Sequence, residues 1–240
     1  MARESRSEFL NLTIVLALAV SGCFLLYALR FALAGRAAYR YLVWNLILAS
    51  VPYAIAAIGA HLLARYEAGR RRALVGIPIA ALWLVFYPNA PYIFTDFIYV
   101  INRTYLRVAP SDRLGLNALL WYDLLMNAVF AFIGHFIGLV SMWLVQRGFA
   151  EAWGARASRA LVAAAILLSG FGIYLGRFSR LNSWDILVDT RRVFSEAAEA
   201  TADPKAILFS AAFSLFILLT YLALVVFKRI SLPAERKRKG

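Results

Sequence analysis

Six stretches of this sequence are long and apolar enough to cross a bilayer, and they leave little chain for anything else: roughly 9–34, 42–64, 73–101, 116–145, 158–176 and 205–227. A helix needs about 20 apolar residues to span the hydrocarbon core. Lipid offers the backbone no hydrogen-bonding partner, so a spanning segment must satisfy its own N–H and C=O groups, as a helix does. The sequence therefore predicts an all-α polytopic membrane bundle, with six transmembrane helices in one integral membrane domain over 1–240. Composition agrees: 62% of residues are hydrophobic and 16% charged, too oily a balance for a soluble domain.

The net charge is +13, but most basic residues flank the spans, where membrane proteins keep them. Nucleic acid is therefore not an expected partner, and membrane lipids are. Even with six spans, both termini lie on one side. That side collects fifteen Lys and Arg residues, including Arg65, Arg70, Arg71, Arg72 and the tail after Phe227, against eleven on the other. The excess predicts cytoplasmic termini. All six aspartates, at 96, 112, 123, 185, 189 and 203, then fall toward the outer face. The single cysteine, Cys23, rules out an intrachain disulfide. Val20-Ser21-Gly22-Cys23 looks like a lipoprotein cleavage box, yet the apolar run continues through Phe24, Leu25 and Leu26 with no polar tether.

The third run carries "FYPNAPYIFTDF", residues 86–97. Pro88 and Pro91 have no N–H to donate, which orphans the carbonyls of Leu84 and Tyr87. Helix is also disfavoured at Tyr87 and Ala90, each of which precedes a proline. The third helix is predicted to kink or open at 87–91 and to remain a single crossing. Asn89 could bond the freed carbonyls, which makes this a plain proline kink. Asp96 favours a functional reading instead, since an ionisable group at membrane depth needs a partner or a polar cavity.

In the fourth run Asp123, Asn127, Gly134, Gly138 and Ser141 share one helical stripe, which points inward. In the fifth, Gly172 and Gly176 make another small-residue face, followed by Arg177 and Arg180. Arginine forks suit phosphate or carboxylate, but these two could equally pair with aspartates or reach to headgroups. Residues 184–200 read as one amphipathic helix on the membrane surface, capped by Asn182 or Ser183. Its apolar contacts come from Trp184, Ile186, Leu187, Val193 and Phe194.

The strings "YLVWNLILASVPY", "FYPNAPYIFTDF", "WYDLL" and "YLGRFSRLNSWDIL" resemble a bacterial multi-pass membrane family catalogued as domain of unknown function 1361. The resemblance covers about residues 41–187. It implies a bacterial inner-membrane protein with no assigned activity. It also lends weight to Asn45, Asn89, Asp96, Asp123, Arg177, Arg180, Asn182 and Asp185 as a set, and the stripe adds Asn127.

No phosphate loop, dinucleotide turn, zinc-protease helix or nucleophile elbow occurs. His61, His135 and Cys23 lack metal-ligand spacing. No cofactor or metal is expected, and no nucleophile stands beside a base, so no catalytic residue is assigned. Three readings fit. The outer polar cluster binds or processes a lipid-linked or anionic group, with Arg177 and Arg180 near Asp96 and Asp123. Alternatively the third span lines a path for a small solute or ion. In the third reading the cluster only locks helices together. Oligomeric state has no signature in the sequence.

Overall fold

A computed structural model describes residues 3–34, 38–67, 69–100 and 113–231, with the side chains of 3–6, 34, 113–117 and 229–231 outside the described set. The charges of Arg3, Arg6, Arg36, Arg103, Arg107, Asp112 and Arg113, and those of 229–239, therefore lie outside the described residues. Every element among the described residues is helical. Five helices are long and apolar enough to cross a membrane: Ser7–Leu33, Arg40–Leu63, Arg70–Val100, Ala118–Ser179 and Pro204–Lys228. The fourth has 62 residues, which would run about 90 Å if straight. It contains two of the six predicted runs. Between them Gly154 takes φ 84°, ψ 167°, a conformation open essentially to glycine alone.

The chain forms two compact units, Met1–Gly148 and Phe149–Gly240. The first holds α1 (Arg3–Ala34), α2 (Arg40–Leu63), α3 (Arg70–Phe86), α4 (Asn89–Tyr92), a 3₁₀ turn (Ile93–Asp96) and the first part of α5 (Arg113–Tyr174). Its helices pack through narrow seams. On α2 the buried residues are Leu42, Leu46, Ala49, Pro52, Ala56, Gly59 and Leu63, a spacing of three and four that keeps one stripe inward. Trp44, Ile47 and Ile58 stay exposed on its other faces. A side chain at Gly59 would come within 2.6 Å of Ile79 on α3, so glycine sets that approach. Helix α1 runs antiparallel to α5. Leu16 packs on Ile137 and Val140, Cys23 clusters with Met126 and Phe130, and Tyr122 Oη donates to the Leu26 carbonyl at 2.7 Å. Cys23 is thus a core residue with no exposed surface.

Around the prolines the chain tightens and does not unwind. Tyr87 (φ −57°, ψ −38°) and Pro88 (φ −57°, ψ −24°) both keep right-handed helical dihedrals. The proline ring's own φ suits a helix, so only the missing donors must be replaced. Ala90 N donates to the Tyr87 carbonyl at 3.1 Å, an i+3 bond, and Asn89 Nδ2 donates to the Phe86 carbonyl at 3.0 Å. Packing offsets the pre-proline penalty at Tyr87, which is fully buried with its ring 4.7 Å from Trp83. Facing this segment, a side chain at Gly138 of α5 would collide with Ala90, and one at Gly134 would sit 3.3 Å from Ile93. The glycine stripe read from the sequence is the surface on which the proline segment packs.

The second unit holds the rest of α5, a π-helical turn (Leu175–Ser179), α6 (Asp185–Val188), α7 (Thr190–Ala202) and α8 (Pro204–Ser231). Its close backbone approach runs through Gly170, where a side chain would collide with Ser214 and the Ser210 carbonyl of α8. The single amphipathic helix expected over 184–200 is two helices. Asp189 separates them with φ −138°, ψ 59° and caps α7 by accepting from Arg192 N, as its short carboxylate favours at a helix start. Asp203 does the same for α8, accepting from Lys205 N at 2.9 Å, with Pro204 in the first-turn position that tolerates it.

Candidate functional site

The nine residues singled out in the sequence divide between the units. Asn45, Asn89, Asp96, Asp123 and Asn127 belong to the first; Arg177, Arg180, Asn182 and Asp185 belong to the second.

In the first unit Asp96, Asp123 and Asn127 are buried, Asn45 and Asn89 are half-buried, and each takes part in a hydrogen bond. Asp123 keeps 7% of its surface and Arg30 keeps 7%. Arg30 grips both carboxylate oxygens, Nε on Oδ1 and Nη2 on Oδ2 at 3.0 Å. Tyr39 Oη donates to the same Oδ2 at 2.7 Å. A bidentate arginine fork gives a carboxylate two parallel charge-assisted hydrogen bonds, each stronger than a neutral one. Tyr39 reaches Asp123 from a left-handed backbone (φ 61°, ψ 29°) at the start of α2, a conformation that costs a non-glycine residue about 1–2 kcal/mol. The phenol's bond to the buried carboxylate holds it there. One turn along α5, Asn127 Nδ2 donates to the Asp123 carbonyl at 2.8 Å. Asn45 Nδ2 donates to Asp96 Oδ2 at 2.6 Å, and Asp96 is 1% exposed.

Arg30 and Tyr39 escaped the sequence reading, which counted Arg30 among loop charges. A signal was present: Arg30 is the one charged residue in the run 9–34, and such a residue marks a buried partner by default. His135, treated as a packing residue, is buried with its ring edge-on to Phe94 at 5.5 Å. Among the described residues no group of three or more His, Cys, Asp or Glu could hold a metal ion.

In the second unit the groups are more open. Arg177 is half-buried in the π turn, and Arg180 and Asn182 are exposed. Arg180 takes φ 55°, ψ 37°, and the following Leu181 N bonds back to the Leu175 carbonyl at 3.3 Å. This is a left-handed helix end whose bend usually falls to glycine. Asp185 Oδ2 accepts from Asn182 N at 2.7 Å, so the expected cap by Asn182 or Ser183 is replaced by a carboxylate reaching back along the chain. Arg192 Nη2 donates to the Ser179 carbonyl at 3.1 Å. Trp184, Leu187 and Val188, beside this bend, are 37%, 78% and 80% exposed.

No curated protein and no solved structure matches the chain. The family described as "Protein of unknown function (DUF1361)" matches residues 44–220. That span takes in every residue of both polar groups except Arg30 and Tyr39, and with it the chain belongs to the DUF1361 family of multi-pass membrane proteins.

Proposed function

We propose that this membrane protein binds an amphiphilic anion, a lipid-linked phosphate or carboxylate, through residues 177–185 at one membrane face. The observation that carries the reading is Arg180: an exposed guanidinium on a left-handed backbone where glycine would cost nothing. A charge kept at such a cost is a reason to look for function. Asn182 offers a second exposed polar group. The exposed Trp184, Leu187 and Val188 supply the apolar surface an acyl or prenyl chain needs. The family resemblance and the basic-residue excess support a bacterial inner membrane with cytoplasmic termini, which puts this face outside. A cysteine introduced at position 69 that labels from outside intact cells would overturn that orientation.

The test of binding is native mass spectrometry of the full chain with added phosphatidylglycerol or phosphatidylcholine. Wild type is expected to retain the anionic lipid preferentially, and Arg180→Gln to lose that preference while Arg191→Gln keeps it. Equal retention by all three proteins sinks the proposal.

A structural reading fits the first unit. The observation in its favour is the bidentate neutralisation of Asp123 by Arg30. A carboxylate so engaged is spent on its partners, and it ties α1 to α5.

A further inference from the structure

The left-handed bend that presents Arg180 is held from both sides by side chains further along the chain. Arg180 N and Leu181 N both return to the Leu175 carbonyl, the second at 3.3 Å, which closes the π turn. Just before the bend, the Ser179 carbonyl accepts from Arg192 Nη2 at 3.1 Å. Just after it, Asn182 N donates to Asp185 Oδ2 at 2.7 Å, and Asn182 Nδ2 reaches the same oxygen at 3.4 Å. Asp189 Oδ1 accepts from Arg192 N at 3.3 Å, which fixes the start of the helix that carries Arg192.

Asp185 lies five residues from Arg180, and its charge could pair with that guanidinium. Among the described residues no such ion pair forms. The carboxylate goes to the backbone, and the guanidinium stays exposed. A left-handed non-glycine residue persists only where its surroundings over-determine it. Without the bonds on either side, the bend would relax toward right-handed dihedrals and carry the guanidinium elsewhere. Affinity then falls with the fraction of chains left in the competent conformation. We infer that Asp185 and Arg192 are positioning residues that hold Arg180 where an anionic headgroup meets it, a role that rests on the anion reading of residues 177–185. Both act through the backbone beside Arg180 and not by contact with the ligand.

The test is native mass spectrometry of the full chain with phosphatidylglycerol and phosphatidylcholine, read as the ratio of the two retained. A general structural defect lowers both; a misplaced guanidinium lowers the ratio alone. Asp185→Ala gives a check by sign. If Asp185 only adds negative charge beside the site, its removal raises the ratio. If it holds the bend, the ratio falls about fivefold, the equilibrium weight of one hydrogen bond. Asp185→Asn keeps an acceptor oxygen without the charge and is expected to restore the ratio. Arg192→Gln, whose amide stops at the level of Nε, is expected to lower it, and Arg191→Gln, with the same loss of charge, is not. A ratio unchanged or raised in Asp185→Ala overturns the inference and leaves the anion site standing. So does Asp185→Asn as low as Asp185→Ala, or Arg192→Gln matching Arg191→Gln. A wild type with no anionic preference overturns both.

Discussion

Asp123 and Asp185 sit in similar local sequence, Trp121-Tyr122-Asp123 and Ser183-Trp184-Asp185, and the two units use them differently. Asp123 is buried, held by a cation that lies 93 positions away and by a phenol from a strained backbone. Asp185 is half-buried and binds the amide three residues before it, leaving the arginine of its own loop, Arg180, exposed. A buried charge must be matched by whatever the fold can bring to it, so Asp123 recruits distant helices. A charge in reach of water needs no such match, so Asp185 can serve local geometry. The difference teaches that polar residues grouped by sequence as one cluster carry different work: tying helices together in the first unit and shaping a presented loop in the second.

The sharpest way to break this contrast is to remove one partner of the buried pair. Asp123→Asn leaves Arg30 charged and unpaired, at a cost of about 3–5 kcal/mol. It should abolish monodisperse protein on size-exclusion chromatography, and adding Arg30→Gln should restore much of it. If Asp185→Asn is equally damaging, the contrast fails. Next comes Tyr39→Phe, which removes a hydrogen bond to a charged group worth about 1.5–3 kcal/mol and the tie that holds a left-handed residue. A lower melting midpoint with unchanged spectra is expected.

Gly138→Ala tests whether the glycine stripe seats the proline segment. The new methyl meets Ala90, and overpacking of this kind costs about 1–3 kcal/mol. Gly148→Ala, which meets nothing within 4 Å, is the neutral control in the same melting assay. The smallest expected effect has the opposite sign. Arg180→Gly relieves a left-handed arginine and should stabilise the second unit by about 1 kcal/mol, while anionic-lipid retention falls. A variant that is both less stable and unchanged in lipid retention would make Arg180 a structural cap.

Much of the fold was legible in the sequence because hydrocarbon imposes a stringent rule. Backbone groups that cannot reach water must pair within a helix, so the long apolar runs became helical, with 116–145 and 158–176 falling in one helical stretch interrupted at Gly154. The Gly134 and Gly138 stripe was legible too, since only small residues let helices meet so closely. Other features were not. Ala90 N shifted to the Tyr87 carbonyl that Pro91 cannot serve, and Asn89 took the Phe86 carbonyl that Ala90 N left, so the proline segment tightened where opening was equally consistent with its residues. Asp189 split a helix whose amphipathic pattern ran straight through it. Gly170, which the sequence did not single out, carries a close contact with α8.

By itself the sequence determined which long apolar segments become helical and that Gly134 and Gly138 invite a neighbour. Each of these follows from a residue and the medium around it. Only the tertiary structure decided that Arg30 answers Asp123, that Tyr39 bends left-handed to join them, and that Asn45 meets Asp96. A membrane helix is apolar on its lipid face and on its packed face alike, so hydrophobic periodicity carries no register between helices. Which buried donor meets which acceptor depends on that register, and register is set when the helices pack.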